Sequence, residues 1–184
     1  MALGTPSLTH TEATLLQACQ STLRAQLGAY LSALGTARGR TYPAPASSDV
    51  FIGDNATPNH GYPAIGLMLD GGSTWRAMAN DTYEVETAVR LVVGMSASAV
   101  SSVTPEEAYL AIIDYAHAAA ACLARYLPAQ QVGGTYVGIG RCDIESTDAQ
   151  PSTWEDPDNA GWVLRLSEAR VRVYWQTLQE TPES

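Results

Sequence analysis

Apolar residues recur at three- and four-residue steps through Leu16, Cys19, Leu23, Leu27, Tyr30, Leu31 and Leu34, the spacing that lines one face of an α-helix. Gln17, Gln20, Arg24 and Gln26 fall on the opposite face, toward water. Thr9-His10-Thr11-Glu12 reads as the capping box that opens this helix, the Thr9 hydroxyl accepting from an early backbone N–H while Glu12 reaches back. Gly35 is expected to stop it, and Gly39, Pro43 and Pro45 keep the stretch to Ser48 irregular.

The period then changes from helical to alternating. A short strand is expected at Val50-Phe51-Ile52, followed by a turn cluster from Gly53 to Gly61 and a second strand through Ile65, Leu67 and Leu69. Gly71-Gly72-Ser73-Thr74-Trp75-Arg76 reads as a loop. The clearest strand comes next, with Tyr83, Val85, Val89, Leu91 and Val93 on one face and Glu84, Glu86 and Arg90 on the other. Thr104-Pro105-Glu106-Glu107 caps a second helix that runs to about Leu127, with Pro where a missing N–H costs nothing. Tyr109, Ile113, Ala116, Ala120, Leu123 and Leu127 mark its buried face, the small side chains from Ala118 to Ala121 permit close approach of a neighbour, and Pro128 ends it.

After Gly133-Gly134 a strand passes through Val137, Ile139 and Ile144, where Gly138 and Gly140 predict a bulge or a close backbone contact. Residues 146–161 read as a polar loop carrying Trp154, Glu155 and Asp156. In the last strand Trp162, Leu164 and Leu166 hold even positions while Ala169, Val171, Val173 and Trp175 hold odd ones. A one-residue slip near Ser167-Glu168 is therefore expected.

The order is helix, three strands, helix, two strands. It predicts a single α+β domain over residues 1–184, a mainly antiparallel sheet with both helices on one face, and loose ends at about 1–8 and 179–184. If the last strand lies beside the long one, Arg165, Arg170 and Arg172 would pair with Glu84 and Glu86.

Composition narrows what such a domain does. With 46% hydrophobic and 16% charged residues the chain is built to bury a core. Nineteen acidic against ten basic residues, net −9, oppose a general grip on nucleic acid. All ten basic residues are Arg, so no polybasic lysine segment is present to attract an anionic membrane. No run of about 18 apolar residues suggests a span, and no basic-then-apolar N-terminal stretch suggests export, so a cytoplasmic start and no membrane partner are expected. Cys19, Cys122 and Cys142 are too few and too separated for a disulfide framework or metal site, and are expected as buried thiols.

The usual catalytic spacings fail at named positions. His10, His60 and His117 share no motif, no serine sits in a GxSxG turn, and the glycines around 138 would need Gly at Asp143 to make a dinucleotide loop. No enzyme activity, metal or cofactor is expected. Asp143, Glu145 and Asp148 remain open to two readings, a solvated acidic face or an acid/base or metal site. Trp75 and Trp154, with Arg76, Glu155 and Asp156, are the candidate interaction residues, because each Trp lies in an expected loop and tryptophan buries much area at little entropic cost.

Over about residues 9–178 the chain resembles the tail terminator (tail completion) proteins of long-tailed bacteriophages. The resemblance lies in the order of elements: an N-terminal helix, the YPAIGLMLD strand, the TYEVETAVRLVV strand, the TPEEAYLAIIDYAHAAAACLARYL helix, a glycine-led strand and the closing ARVRVYWQ strand. It implies a structural virion protein, made in the host cytoplasm, that forms a hexameric ring on the head-proximal end of the tail tube. The implied partners are its own copies, the tail tube protein and a neck or head-completion protein, with DNA passing through the ring unbound. A head-closure or adaptor protein of the neck, or a minor tail subunit, is the neighbouring alternative. A small-molecule-binding or hydrolytic domain using Asp143, Glu145 and Asp148 is the alternative from another class.

Overall fold

Two long alternating segments dominate the molecule because their apolar positions share one side. The computed structural model describes residues 5–6, 11–53, 63–78, 82–96, 105–129, 131–132, 137–148, 152–155 and 163–180. In chain order these form β1 (Thr5–Pro6), α1 (Glu12–Arg38), β2 (Val50–Ile52), β3 (Ala64–Leu69), β4 (Thr74–Met78), β5 (Thr82–Ser96), α2 (Pro105–Tyr126), β6 (Gln131–Val132), β7 (Val137–Thr147), β8 (Ser152–Glu155) and β9 (Val163–Glu180). This is the expected α+β order with short strands added. Among the described residues no helix is long and apolar enough to cross a membrane.

The sheet runs β2-β3-β5-β9-β7-β6, antiparallel except for β2 beside β3. β5 pairs with β9 along its whole length, from Thr82 against Leu178 to Ser96 against Leu164. Each of these two is flanked by a broken strand. β3 and β4 both pair with the outer edge of β5, and β7 and β8 both pair with the outer edge of β9. The breaks are bridged by Asp70 N–H donating to Ala88 and Asp148 N–H donating to Glu168, at 2.9 and 2.7 Å.

Both helices cover one face. Leu15, Leu16, Cys19, Leu23, Leu27 and Leu31 of α1 and Ile112, Tyr115, Ala116, Ala119 and Leu123 of α2 close over Val85, Val89, Leu91, Val93, Val171, Val173 and Trp175. Burial of a large aliphatic side chain contributes about 1.5–3 kcal/mol, so this layer carries the stability. The Trp175 indole N–H donates to Thr87 Oγ1 at 3.0 Å, which satisfies a polar group inside the layer.

Several expectations are corrected. Gly35 does not stop the first helix; it is buried within it, and the helix ends where Gly39 takes the left-handed conformation, φ 65° and ψ 31°. Thr11, not Thr9, is the N-cap, and its carbonyl accepts from Thr14 and Leu15; Thr9, His10 and the Thr104 cap lie outside the described residues. Gln20 and Arg24 do not simply face water but donate to the Val50 carbonyl at 2.9 and 2.8 Å, tying α1 to the start of β2.

The α2 face is broader than its i, i+4 series implies. Tyr109 is 36% exposed, whereas Ala108, Ile112, Tyr115, Ala119 and Cys122 are buried, because α2 packs against both α1 and the sheet. The expected loop at 71–76 runs into β4, and the one at 146–161 contains β8. The expected slip in the last strand does not occur. Ser167 continues the buried odd positions of β9, and the irregularities lie in β7 instead, between Ile139 and Arg141 and between Ile144 and Ser146. Near the two ends Thr5 pairs with Glu180 and Pro6 with Gln179.

Candidate functional site

The even positions of β5 and β9 face away from the helices and define an open, charged surface. Rows of residues cross it in register: Arg76, Glu84, Gln176 and Gly138 form one, and Thr74, Glu86, Tyr174 and Arg141 the next. Alternation dictates this placement, since paired residues share a face.

The two irregularities of β7 shape the surface. The first, at Gly140, shifts parity so that Arg141 and Asp143 join the open face while Cys142 turns inward to be buried. The second frees Glu145 to reach β9. Arg172 then pairs with Glu86 on β5 through Nη1 and with Glu145 on β7 through Nη2 at 2.5 Å and Nε at 2.6 Å. The hydrogen bonds it donates, to Glu86 first and Glu145 second, push the Arg172 guanidinium further up from its ordinary value. The expected pairing of Arg172 with Glu86 is thus present, and Arg170 pairs instead with Asp70 at 3.0 Å.

Arg141 lies 4.2 Å from the Tyr174 ring centroid and pairs with Asp143 at 2.9 Å; the Tyr174 side chain and then Asp143 favour its charged form. Arg90 reaches Glu168 at 3.7 Å and Met68 Sδ at 2.8 Å. Of the acidic trio, Asp143 and Glu145 are therefore held by arginines, and Asp148 donates its backbone N–H to Glu168. Among the described residues no group of three His, Cys, Asp or Glu side chains is placed to hold a metal.

A hollow of about 480 Å³ opens on this face where Gly138 and Gly140 leave β7 without side chains, walled by Glu84, Arg141, Tyr174 and Gln176. The glycine pair was the sequence signal for it. What the sequence could not show is that Glu84 and Gln176 stand in the same row as Gly138.

The candidate interaction residues lie on strands rather than loops. Trp75, on β4, turns to the core side and packs edge-on against Trp175 and Tyr83, with centroids 5.6 and 5.9 Å apart. Arg76 beside it is exposed on the open face. Trp154 and Glu155 belong to β8, paired with Leu164 and Val163, and Asp156 lies outside the described residues. Structure separates the two sets. β4 lies on the outer edge of β5 and β8 on the outer edge of β9, eleven β9 positions apart from Trp175 to Leu164, or about 37 Å at ~3.4 Å per residue.

The buried thiols belong to the core. Burial pushes Cys122 up to about 11 and, with Asp143 adding, Cys142 up to about 12; Cys19 is raised further by burial. No family model matches the chain, and no curated protein matches it significantly.

Proposed function

We propose that the chain is a structural virion subunit, a tail terminator that assembles as a hexameric ring on the head-proximal end of a phage tail tube and offers the neck its docking surface. The observation that carries this reading is the separation of the two candidate contact sets. A ring needs two different patches on each subunit, joined head to tail. The Trp75–Arg76 strand and the Trp154–Glu155 strand occupy opposite edges and opposite ends of one sheet, a disposition that suits such a contact.

The chemistry of the open face agrees. Asp143, Glu145 and Glu86 are closed by arginines rather than set as a free acid/base pair, which favours assembly over hydrolysis. Net charge −9 would let DNA pass without being held. Electron microscopy of the purified chain, alone and mixed with tail tubes, tests the proposal. Six-fold rings or capped tube ends are the expected result; a strict monomer that ignores tubes refutes it, and binding to the portal side alone assigns the chain to the neck connectors.

A further inference from the structure

We propose that the hollow at Gly138 and Gly140 is a docking site for a basic side chain, arginine or lysine, on an extended segment of another protein. The inference stands apart from the ring reading, because it rests only on the shape and charge of one end of the open face.

Charge identifies the occupant. Arg141, Arg170 and Arg172 are each held by a carboxylate of this face, and Asp143, Asp70, Glu86 and Glu145 are consumed in holding them. Glu84 is left over. It is half-buried in the wall of the hollow, and among the described residues its carboxylate has no hydrogen-bond or ion-pair partner. Arg76, directly across the strand pair, does not reach it. A carboxylate partly withdrawn from water and lacking a partner gains most from a cationic donor, since charge-assisted hydrogen bonds are about twice as strong as neutral ones.

Shape gives the approach. Gly138 and Gly140 leave the hollow without side-chain cover beside Gln176, while β6 holds the β7 edge at Gly138 itself. Among the described residues β6 pairs with β7 only at Val137 and Gly138, and the edge beyond carries no strand. An extended segment laid along that edge projects alternate side chains over the face. Gln176 supplies a further acceptor beside Glu84, and the stacked Arg141–Tyr174 pair forms a fixed wall that repels a misplaced cation from the far end.

The test titrates the full chain, followed by backbone amide NMR, with acetyl-Gly-Arg-Gly-amide and, as the neutral counterpart, acetyl-Gly-Gln-Gly-amide. The arginine peptide should give saturable shifts centred on Gly138, Gly140 and Gln176, and the glutamine peptide none. Glu84→Gln should weaken binding about tenfold, the effect of losing one charge-assisted bond. Gly138→Leu fills the hollow; a Cβ at Gly138 meets nothing within 4 Å, and the variant's spectrum checks that the fold is retained. That variant should also lose binding. Equal binding of both peptides, shifts elsewhere, or affinity indifferent to Glu84→Gln overturns the proposal. So does binding seen only in Arg76→Ala, which would mean that Arg76 already fills the site in solution.

Discussion

Gly28 and Gly35 lie in the same helix, and alanine at each should move stability in opposite directions. Replacing glycine inside a helix gains about 1 kcal/mol from backbone entropy alone. At Gly28 that gain is available, because an added Cβ meets only the Ala44 Cβ at 3.5 Å, an ordinary contact. At Gly35 the same atom would lie 2.6 Å from the Arg40 carbonyl oxygen and 3.5 Å from the Tyr42 ring. That oxygen cannot easily retreat. The left-handed Gly39 folds the chain back, Arg40 N–H donates to the Gly35 carbonyl at 3.0 Å, and Tyr42 is anchored by its hydroxyl on Asp114. Forcing extra volume into such a contact costs about 1–3 kcal/mol, more than propensity returns. Gly28→Ala should therefore stabilise by about 0.5–1 kcal/mol and Gly35→Ala destabilise by about 1 kcal/mol. A gap of about 2 kcal/mol is roughly 4–8 °C in Tm for a domain of this size. Calorimetry or urea unfolding of the two variants beside the parent measures it. Gly35→Ala as stable as Gly28→Ala would show that the turn relaxes freely and would refute the close-approach argument.

Thr87→Val keeps the shape of the side chain but strips the buried Trp175 indole of its acceptor, and should cost about 1–3 kcal/mol in denaturant unfolding; a neutral result would mean that another acceptor takes over. Stability should fall in alkali: Cys122, Cys142 and Tyr42 are raised by burial to about 11, 12 and 12, from 9.0, 9.0 and 10.0. Protons held more tightly in the folded state give stability that is complete below the unfolded pKa and lost as pH rises through the folded one, so urea midpoints should decline from about pH 9 to 12. Tyr42→Phe should flatten that decline above about pH 10, and midpoints unchanged to pH 12 would contradict the assignment. All three thiols should resist an aromatic disulfide reagent at about pH 8 until the protein unfolds, since their exposures are 0%, 0% and 5%; stoichiometric labelling within the mixing time would place at least one at the surface.

What the sequence disclosed depended on how much of each element's apolar side is apolar in type. β5 was plain because Val85, Val89, Leu91 and Val93 alternate with charged residues. β4 offers Trp75, Ala77 and Met78 without a period-two pattern and is held by pairing to β5, so its propensity resembled a loop. β9 misled for the opposite reason. Its buried odd row includes Ser167 and Thr177, whose polarity hides the continuity, while Leu166 sits half-buried on the open side. Which glycine ends α1 was not legible either, because Gly35 and Gly39 look alike until the path of the chain after the helix is known. The contacts of Arg172 were half legible: strand parity pairs it with Glu86, but Glu145 arrives only through an irregularity that no periodicity records.

The absence of lysine becomes intelligible on the open face. Arg172 reaches carboxylates on two different strands through separate nitrogens, Arg141 stacks on a ring while pairing with Asp143, and Arg90 spans Glu168 and Met68. A lysine ammonium is a single point charge and would make one of each pair of contacts. Ion pairs this exposed add little stability individually, so the lattice is not what keeps the sheet folded. Its consequence is electrostatic. By closing Asp70, Glu86, Asp143 and Glu145, the arginines leave Glu84 without a partner among the described residues, beside the stretch where Gly138 and Gly140 leave room. A diffuse acidic surface would attract any cation weakly; a neutralised surface with one open carboxylate in a hollow selects by position.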